Sequence, residues 1–502
     1  MASSFHTNAP DTTLRVASTA VRRTSVFPIL LCITLCFVWG GVAQAVTFRA
    51  GAATSNITPE LGKPVEGYGS KVPTTQVHDE LHARCLVLDD GETTLVIVVC
   101  DLLGVHLGLS AKARQLIEER CGIPSQNVLI TATHAHSTVG GTSAGQRFSM
   151  SDVGLSAYQL FVVNRIVDGV MRAKNHLSPA QMAFGTVNAP EYVFNRRVHM
   201  KPGTVPVNPF GSPDDKVQMS PPGASPNYVK PAGPVDPVMS FISIRNEDGT
   251  PLALLASYSM HYVGAVPAED VSADYFGEFC RKLGQKIEVK DQFPAFVPML
   301  SNGASGDVVS TDFQKPRPKN PPYERIQKIA DDLAERVFQA ERTLKYRNEM
   351  TLAVRYREPI VQMRRPDPQL MSWAKRKTEE AKSVKPDMSH DYARRTLIAS
   401  GYPTTAPAPL QVFRIGEICI GTMPFETFCE TGLAFKRHSP LQPAILIGLT
   451  NGYMGYLPTP QQHNLGGYET WLGTNHVERN TSEDLLAELL EMAGELQLEK
   501  SK

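Results

Sequence analysis

The chain has 502 residues, is 42% hydrophobic and carries 50 basic against 50 acidic side chains. That is enough apolar material for one large domain or two smaller ones. The balanced charge gives no support for an extended nucleic-acid-binding surface or an acidic tail.

The first 45 residues read as a targeting segment rather than part of a fold. Arg22 and Arg23 precede a short apolar core, "SVFPILLCITLCFVWGGVAQA" at 25–45, which ends in the small-x-small form Ala43-Gln44-Ala45. A secretory signal peptide cleaved after Ala45 is expected, which would export the chain to a periplasmic or extracellular location. The alternative is an uncleaved membrane anchor, since the stretch is near the lower length limit for a spanning helix. No later apolar run is long enough to span a bilayer. Six cysteines follow, at 85, 100, 121, 280, 419 and 429. Export permits disulfides, but the cysteines are scattered through apolar runs and read as core thiols.

From residue 46 onward, strand-like and helix-like runs alternate. "LHARCLVLDD" and "TTLVIVVCDLLGV" resemble paired strands, and "SAKARQLIEERCG" has helical spacing with a glycine stop. "NVLITATHAH" is a strand running into a loop, followed by an amphipathic stretch from Asp152 to Leu177. Further strands are expected at 238–245, 252–260, 294–300, 351–357, 411–423 and 444–449, and helices at 275–288, 322–345, 368–383 and 480–498. This order points to an α/β fold: a mixed β-sheet core flanked by helices, with the active site at the carboxyl ends of strands. Residues 202–237 hold ten prolines, which excludes regular helix or central strand. They read as a long ordered surface loop, with an interdomain linker as the alternative. Residues 46–502 are expected to form a single domain.

The strand ends carry the chemistry. "THAHS" at 133–137 places His134 and His136 two apart, so a continuing strand would project both to one face. Taken alone, the pair could be metal ligands or a hydrogen-bonded polar pair. Another strand, "LALLASYSMHYVG", ends in His261. Glu426 follows "FRIGEICIGTMPFETF", and "AILIGLTNGYMGYLPT" ends in Tyr453 and Tyr456. Histidine and carboxylate are ordinary zinc ligands, and tyrosinate suits a hard, positively charged site. Each residue also has a structural reading: His261 capping a strand, Glu426 starting a helix, Tyr456 as a core aromatic.

These segments resemble the catalytic domain of the neutral/alkaline non-lysosomal ceramidases, zinc amidases that cleave the N-acyl bond of ceramide. "THAHS" is similar to that family's THTHS segment, "SMHYVGA" to its second histidine segment, "MPFETF" to PGEFT and "NGYMGYLPTPQQHNLGGYE" to N-x-Y-x-x-Y. The resemblance runs from about residue 48 to 475 and implies one zinc per chain on His134, His261, Glu426 and Tyr456. It further implies that His136 contacts substrate, that Tyr468 is a hydrogen-bond donor and that Arg196, in "FNRR", lies near the substrate carbonyl. The implied reaction is attack of zinc-bound water on an amide, of ceramide or a related lipid amide. A small-molecule or lipid amide is the expected partner, with peripheral membrane contact and no nucleic acid.

Two departures stand out. The family carries GDVSPN, whose serine lies in the active site. Here "GASGDVVSTDF" puts Val309 at that place and Ser310 one position late, so Ser310 is either brought in by a local rearrangement or dispensable. No counterpart of the family's C-terminal β-sandwich is expected after the tyrosine segment. Two rival readings remain at this level. One is a metal-dependent esterase or phosphoesterase, with Asp101 and Asp307 supplying ligands for a second ion. The other is a secreted binding protein with a degenerate site.

Overall fold

The computed structural model describes residues 48–67, 71–142 and 148–500, together with residues 13 and 20. The expected signal segment therefore lies outside the described residues but for those two. Val46–Lys502 forms one compact unit, and among the described residues every strand and helix belongs to it. No helix among the described residues is long and apolar enough to cross a membrane.

Strand alternation builds the core. β1 (Arg49–Asn56), β2 (His82–Asp89), β3 (Thr94–Cys100), β4 (Val128–Ala132), β5 (Ser178–Asn188), β6 (Val238–Asn246), β7 (Pro251–Tyr258) and β8 (Val297–Asn302) form one eight-stranded sheet in the order β8-β7-β6-β5-β1-β2-β3-β4. Only β7–β8 and β3–β4 run parallel within it. Ala83, Cys85, Val87, Val96, Val98 and Ile130 face one side, where they meet α1 (Leu107–Cys121) and α2 (Ala157–Asn175). The alternate residues Leu86, Leu88, Ile97, Val99 and Leu129 face the other. A strand with both faces covered reads as a continuous apolar run, which is why these elements were legible.

What covers the second face is another sheet: β9 (Leu352–Arg357), β10 (Leu410–Ile415), β11 (Ile418–Thr422) and β12 (Ala444–Ile447), in that order. Its Phe413, Ile415, Ile420 and Ile447 join the same core. Val412, Cys419 and Leu446 on its far side pack against α8 (Thr481–Lys500), after α3 (Asp274–Ile287), α4 (Glu324–Glu341), α5 (Pro368–Glu380), α6 (Met388–Ser400) and α7 (Cys429–His438) in chain order. The single strand expected at 411–423 is thus a hairpin, broken where Gly416 takes φ 62°. The helix expected from Asp152 starts at Ala157, because Ser156 and Gln159 close a reciprocal capping box there. The proline-rich stretch is built into the fold. Val217–Met219 and Tyr228–Pro231 pair on either side of Arg197–Met200. Among the described residues the six cysteines are buried free thiols.

At the base of α3, Asp274 sits in the left-handed region, φ 54°. Its carboxylate accepts from the amides of Val263 (2.9 Å), Gly264 (3.0 Å) and Tyr275 (2.7 Å), pinning the segment that carries His261. Burial raises its pKa to about 6 against the pull of these amides, while the unfolded value is about 3.9. The native state therefore takes up this proton more readily than the unfolded chain. Its contribution to stability is fully present below pH about 4 and is lost as pH rises through about 6. Asp274→Asn keeps the two bonds to Oδ1 and suits the left-handed backbone. It is expected to change stability at pH 7 by no more than about 1 kcal/mol and to reduce the gain in urea midpoint from pH 7 to 5. An unchanged pH slope would show that Asp274 does not titrate there.

Candidate functional site

The carboxyl ends of β4, β7, β11 and β12 converge. The two sheets are stitched together at these ends: Thr131 bridges to Thr450. The buried Asn451 accepts from the Ile130 amide (3.0 Å) and donates to Gln411 Oε1 (3.0 Å). His134 follows β4, His261 follows β7, Glu426 follows β11 and Tyr456 follows β12. Glu426 and Tyr456 are themselves partners in a short parallel bridge.

His134 and His136 do not lie in a continuing strand, as the sequence pattern suggested. β4 ends at Ala132 and His134 turns to φ 71°, a sparsely populated conformation for a non-glycine residue that is typical of functional sites. The imidazoles nevertheless meet, with Nε2 atoms 3.4 Å apart and rings edge-on. His134 Nδ1–H donates to the Leu103 carbonyl (2.7 Å) and His261 Nδ1–H to the Ser305 carbonyl (2.6 Å). Both rings therefore turn an Nε2 lone pair inward, the arrangement used by metal-bound histidines. Those lone pairs face one oxygen, Glu426 Oε2, at 3.1 Å from His134 and 3.2 Å from His261. His134, His261 and Glu426 are all buried. Three electron-rich atoms in such contact require a positive species among them. Two ligands about 2.0–2.1 Å from a tetrahedral metal stand about 3.3–3.4 Å apart, so the donors fit such an ion. His134, His136 and His261 form a group able to hold a metal.

Around this cluster the charges are strongly perturbed. Burial opposes ionisation of Glu426, but His134 and His261 override it and hold the carboxyl well below its usual range. Burial, then the neighbouring His134 and His261, push the His136 imidazole well down. The His136 ring stacks on Tyr262 at 3.6 Å between centroids. Arg196 lies 3.3 Å from His261 Nε2 through Nη1, its guanidinium carbon 5.2 Å from the Tyr456 ring centre. Burial raises the Tyr456 phenol well above its ordinary pKa, although Arg196 pulls it down. Tyr468 meets the edge of Tyr456, with ring centroids 5.7 Å apart.

Seven of the eight residues singled out from sequence thus share one buried neighbourhood. Ser310 is the exception. It is buried, but its carbonyl accepts from Arg325 and no hydrogen bond joins it to the cluster among the described residues. Val309 pairs with Phe194 in a short bridge and packs near Val198 and Phe313. Asp101 spends Oδ2 on Arg84 (2.6 Å) and the His82 amide (2.9 Å), while its Oδ1 is buried without a hydrogen-bond partner among the described residues. Asp307 is held by Asn195 (2.6 Å) and the Cys429 amide (2.9 Å). Among the described residues neither joins a second metal-holding group.

Sequence reasoning left three residues without roles. Tyr453 donates to Glu426 Oε1 at 2.7 Å, Tyr262 stacks on His136, and Glu469 pairs with Arg196 at 2.8 Å. Each lies beside a residue already singled out, in "NGYMGY", "MHYVG" and "GGYE", but nothing in the order of residues reveals the contacts.

Residues 48–317 match the family model described as neutral/alkaline non-lysosomal ceramidase, N-terminal. The neutral ceramidase of Pseudomonas aeruginosa is 25% identical over 248 residues, 46% of this chain and 33% of that protein, so the match spans about a third of that relative's length. The crystal structure of neutral ceramidase from Pseudomonas aeruginosa superposes with a TM-score of 0.64 at 18% identity, over 90% of this chain and 75% of that one. A structure described as ceramidase complexed with C2 superposes at 0.66 and 17% identity, over 90% and 76%. At these identities the likeness is one of fold.

Proposed function

Because the chain belongs to the neutral/alkaline non-lysosomal ceramidase family, we propose that it is an exported zinc-dependent hydrolase cleaving the N-acyl amide bond of ceramide or a related lipid amide. The observation that carries the reading is the meeting of two Nε2 lone pairs with one carboxylate oxygen, their Nδ1–H groups already spent on backbone carbonyls. His134, His261, Glu426 and Tyr456 would hold the ion. Zinc, when bound, polarises a carbonyl and lowers the pKa of water toward ~7.

The chain's own groups do the rest. Arg196, fixed in charge, and Tyr468, kept protonated by burial, stabilise the oxyanion that develops on the acyl carbon's oxygen. His136, held neutral by burial and its imidazole neighbours, would take a proton from the attacking water and pass it to the departing amine. Tyr453 orients Glu426 through Oε1. Residues 46–502 act as the catalytic domain and residues 1–45 as an export signal. The lipid substrate implies contact with a membrane surface.

Metal analysis of the purified chain, together with turnover on a panel of N-acyl amides, carboxylic esters and phosphoesters, tests this. One zinc per chain and cleavage of N-acyl amides are expected. Two metals with phosphoester cleavage would replace the reading, and zinc without turnover would favour a binding protein. Ser310→Ala is expected to retain most of the activity, because among the described residues no hydrogen bond joins Ser310 to the cluster. A severe loss would place its hydroxyl in the site.

A further inference from the structure

Glu469 is buried with no exposed surface and divides its two oxygens between adjacent arginines. Oε1 accepts from Arg196 Nε at 2.8 Å, and Oε2 accepts from Arg197 Nη1 at 2.6 Å. The arginines differ in what else they touch. Arg197 is tied wholly to the scaffold, donating to Gln462 Oε1 (2.9 Å) and to the carbonyls of Gln462 (3.2 Å) and Gly466 (2.7 Å). Gln462 is in turn held by Glu430 (2.7 Å) and the Ala232 carbonyl (2.8 Å). Arg196 instead turns its Nη1 to His261, with its guanidinium carbon over the Tyr456 ring. The carboxylate thus connects a rigid arginine to one that faces the candidate centre.

We infer that Glu469 is a positioning residue: it fixes the Arg196 guanidinium at the reacting carbonyl while Arg197 fixes Glu469. The inference rests on the hydrolase reading above. The charge balance supports it. Two neighbouring buried guanidiniums repel each other, and one carboxylate between them leaves a single net positive charge, directed by geometry toward the site. A guanidinium held through Nε has a fixed plane, since charge-assisted bonds of this kind are short and directional. Its remaining N–H groups then reach the oxyanion without reorganising. Tyr468 precedes Glu469 in a short helical turn, Tyr468–Thr470, so one turn supplies both a candidate donor and the support for another.

The test is a double-mutant cycle on zinc-loaded full-length chain: wild type, Glu469→Gln, Arg196→Met and the double variant, each read for zinc content, kcat and KM on an N-acyl amide. Glu469→Gln is expected to lower kcat about 10–100-fold with KM within about threefold and zinc unchanged. In the Arg196→Met background it should have almost no further effect on kcat. Equal losses in both backgrounds, or none, would overturn the inference, because a merely structural carboxylate acts regardless of Arg196. Should Glu469→Gln fail to fold, Glu469→Asp keeps the charge but withdraws it by one carbon, and the same cycle applies. If wild type cleaves no N-acyl amide, the hydrolase reading fails by itself. The cycle is then read on the affinity for octanoate, whose carboxylate Arg196 would grip. Weakening by Glu469→Gln only when Arg196 is present sustains the inference, and weakening in both backgrounds, or in neither, overturns it.

Discussion

His134→Ala and His261→Ala are each expected to lose bound zinc and, with it, all measurable turnover. Each variant removes an Nε2 lone pair whose direction is set by a backbone carbonyl on the far side of the ring. His136, the third imidazole of the group, is stacked on Tyr262. Loss of one imidazole leaves one histidine, Glu426 and Tyr456; only the first two are ordinary zinc donors, short of the three such ligands that catalytic zinc takes. Glu426→Gln is expected to reach the same end by another route. It keeps the shape but removes the negative charge that meets both histidines. Zinc per chain after dialysis, with circular dichroism to confirm folding, separates these outcomes from simple unfolding. Full zinc occupancy in both histidine variants would rule out the proposed centre.

Tyr468→Phe should spare the metal and slow the chemistry. The ring packs edge-on against Tyr456 and lies 6.0 Å from Trp471, contacts that phenylalanine preserves. What is lost is the hydroxyl, which burial keeps protonated well above neutral pH. Loss of one oxyanion donor typically costs about 10²–10³ in kcat, roughly 3–4 kcal/mol. KM should change little, since the bond forms mainly in the transition state. Wild-type kcat in this variant would remove Tyr468 from the mechanism. Loss of zinc would mean that Tyr456 and Tyr468 exchange the parts proposed for them.

Much of the scaffold was legible because its strands read as unbroken apolar runs, as in β2 and β3, and its helices follow period-3.6 burial, as in α3 and α8. The misses have local causes. β1, "RAGAATSN", is built of small residues that give little hydrophobic signal, yet it is the strand between β5 and β2. α6 begins with a capping box made by Asp387 and His390, a pairing outside the usual glutamate or glutamine pattern. At the site, the residues that end strands could be found one by one. The left-handed turn at His134 and the sharing of Glu469 between two arginines could not, because both depend on chain segments far apart in sequence. The displaced serine segment was visible as a departure, and the structure gives it a physical form: Val309 in a bridge, Ser310 facing Arg325 through its carbonyl.

The two sheets meet at their carboxyl ends, and the proposed ligands divide between them: His134 and His261 after one, Glu426 and Tyr456 after the other. An ion held there would act as a rivet across a seam, bound only when both sheets are docked. By mass action such an ion stabilises the docked state by RT ln(1 + [ion]/Kd), about 2.7 kcal/mol at a hundredfold excess over Kd. Loading and folding would then be one equilibrium, and depletion of the ion would loosen the chain first at the place where its chemistry resides.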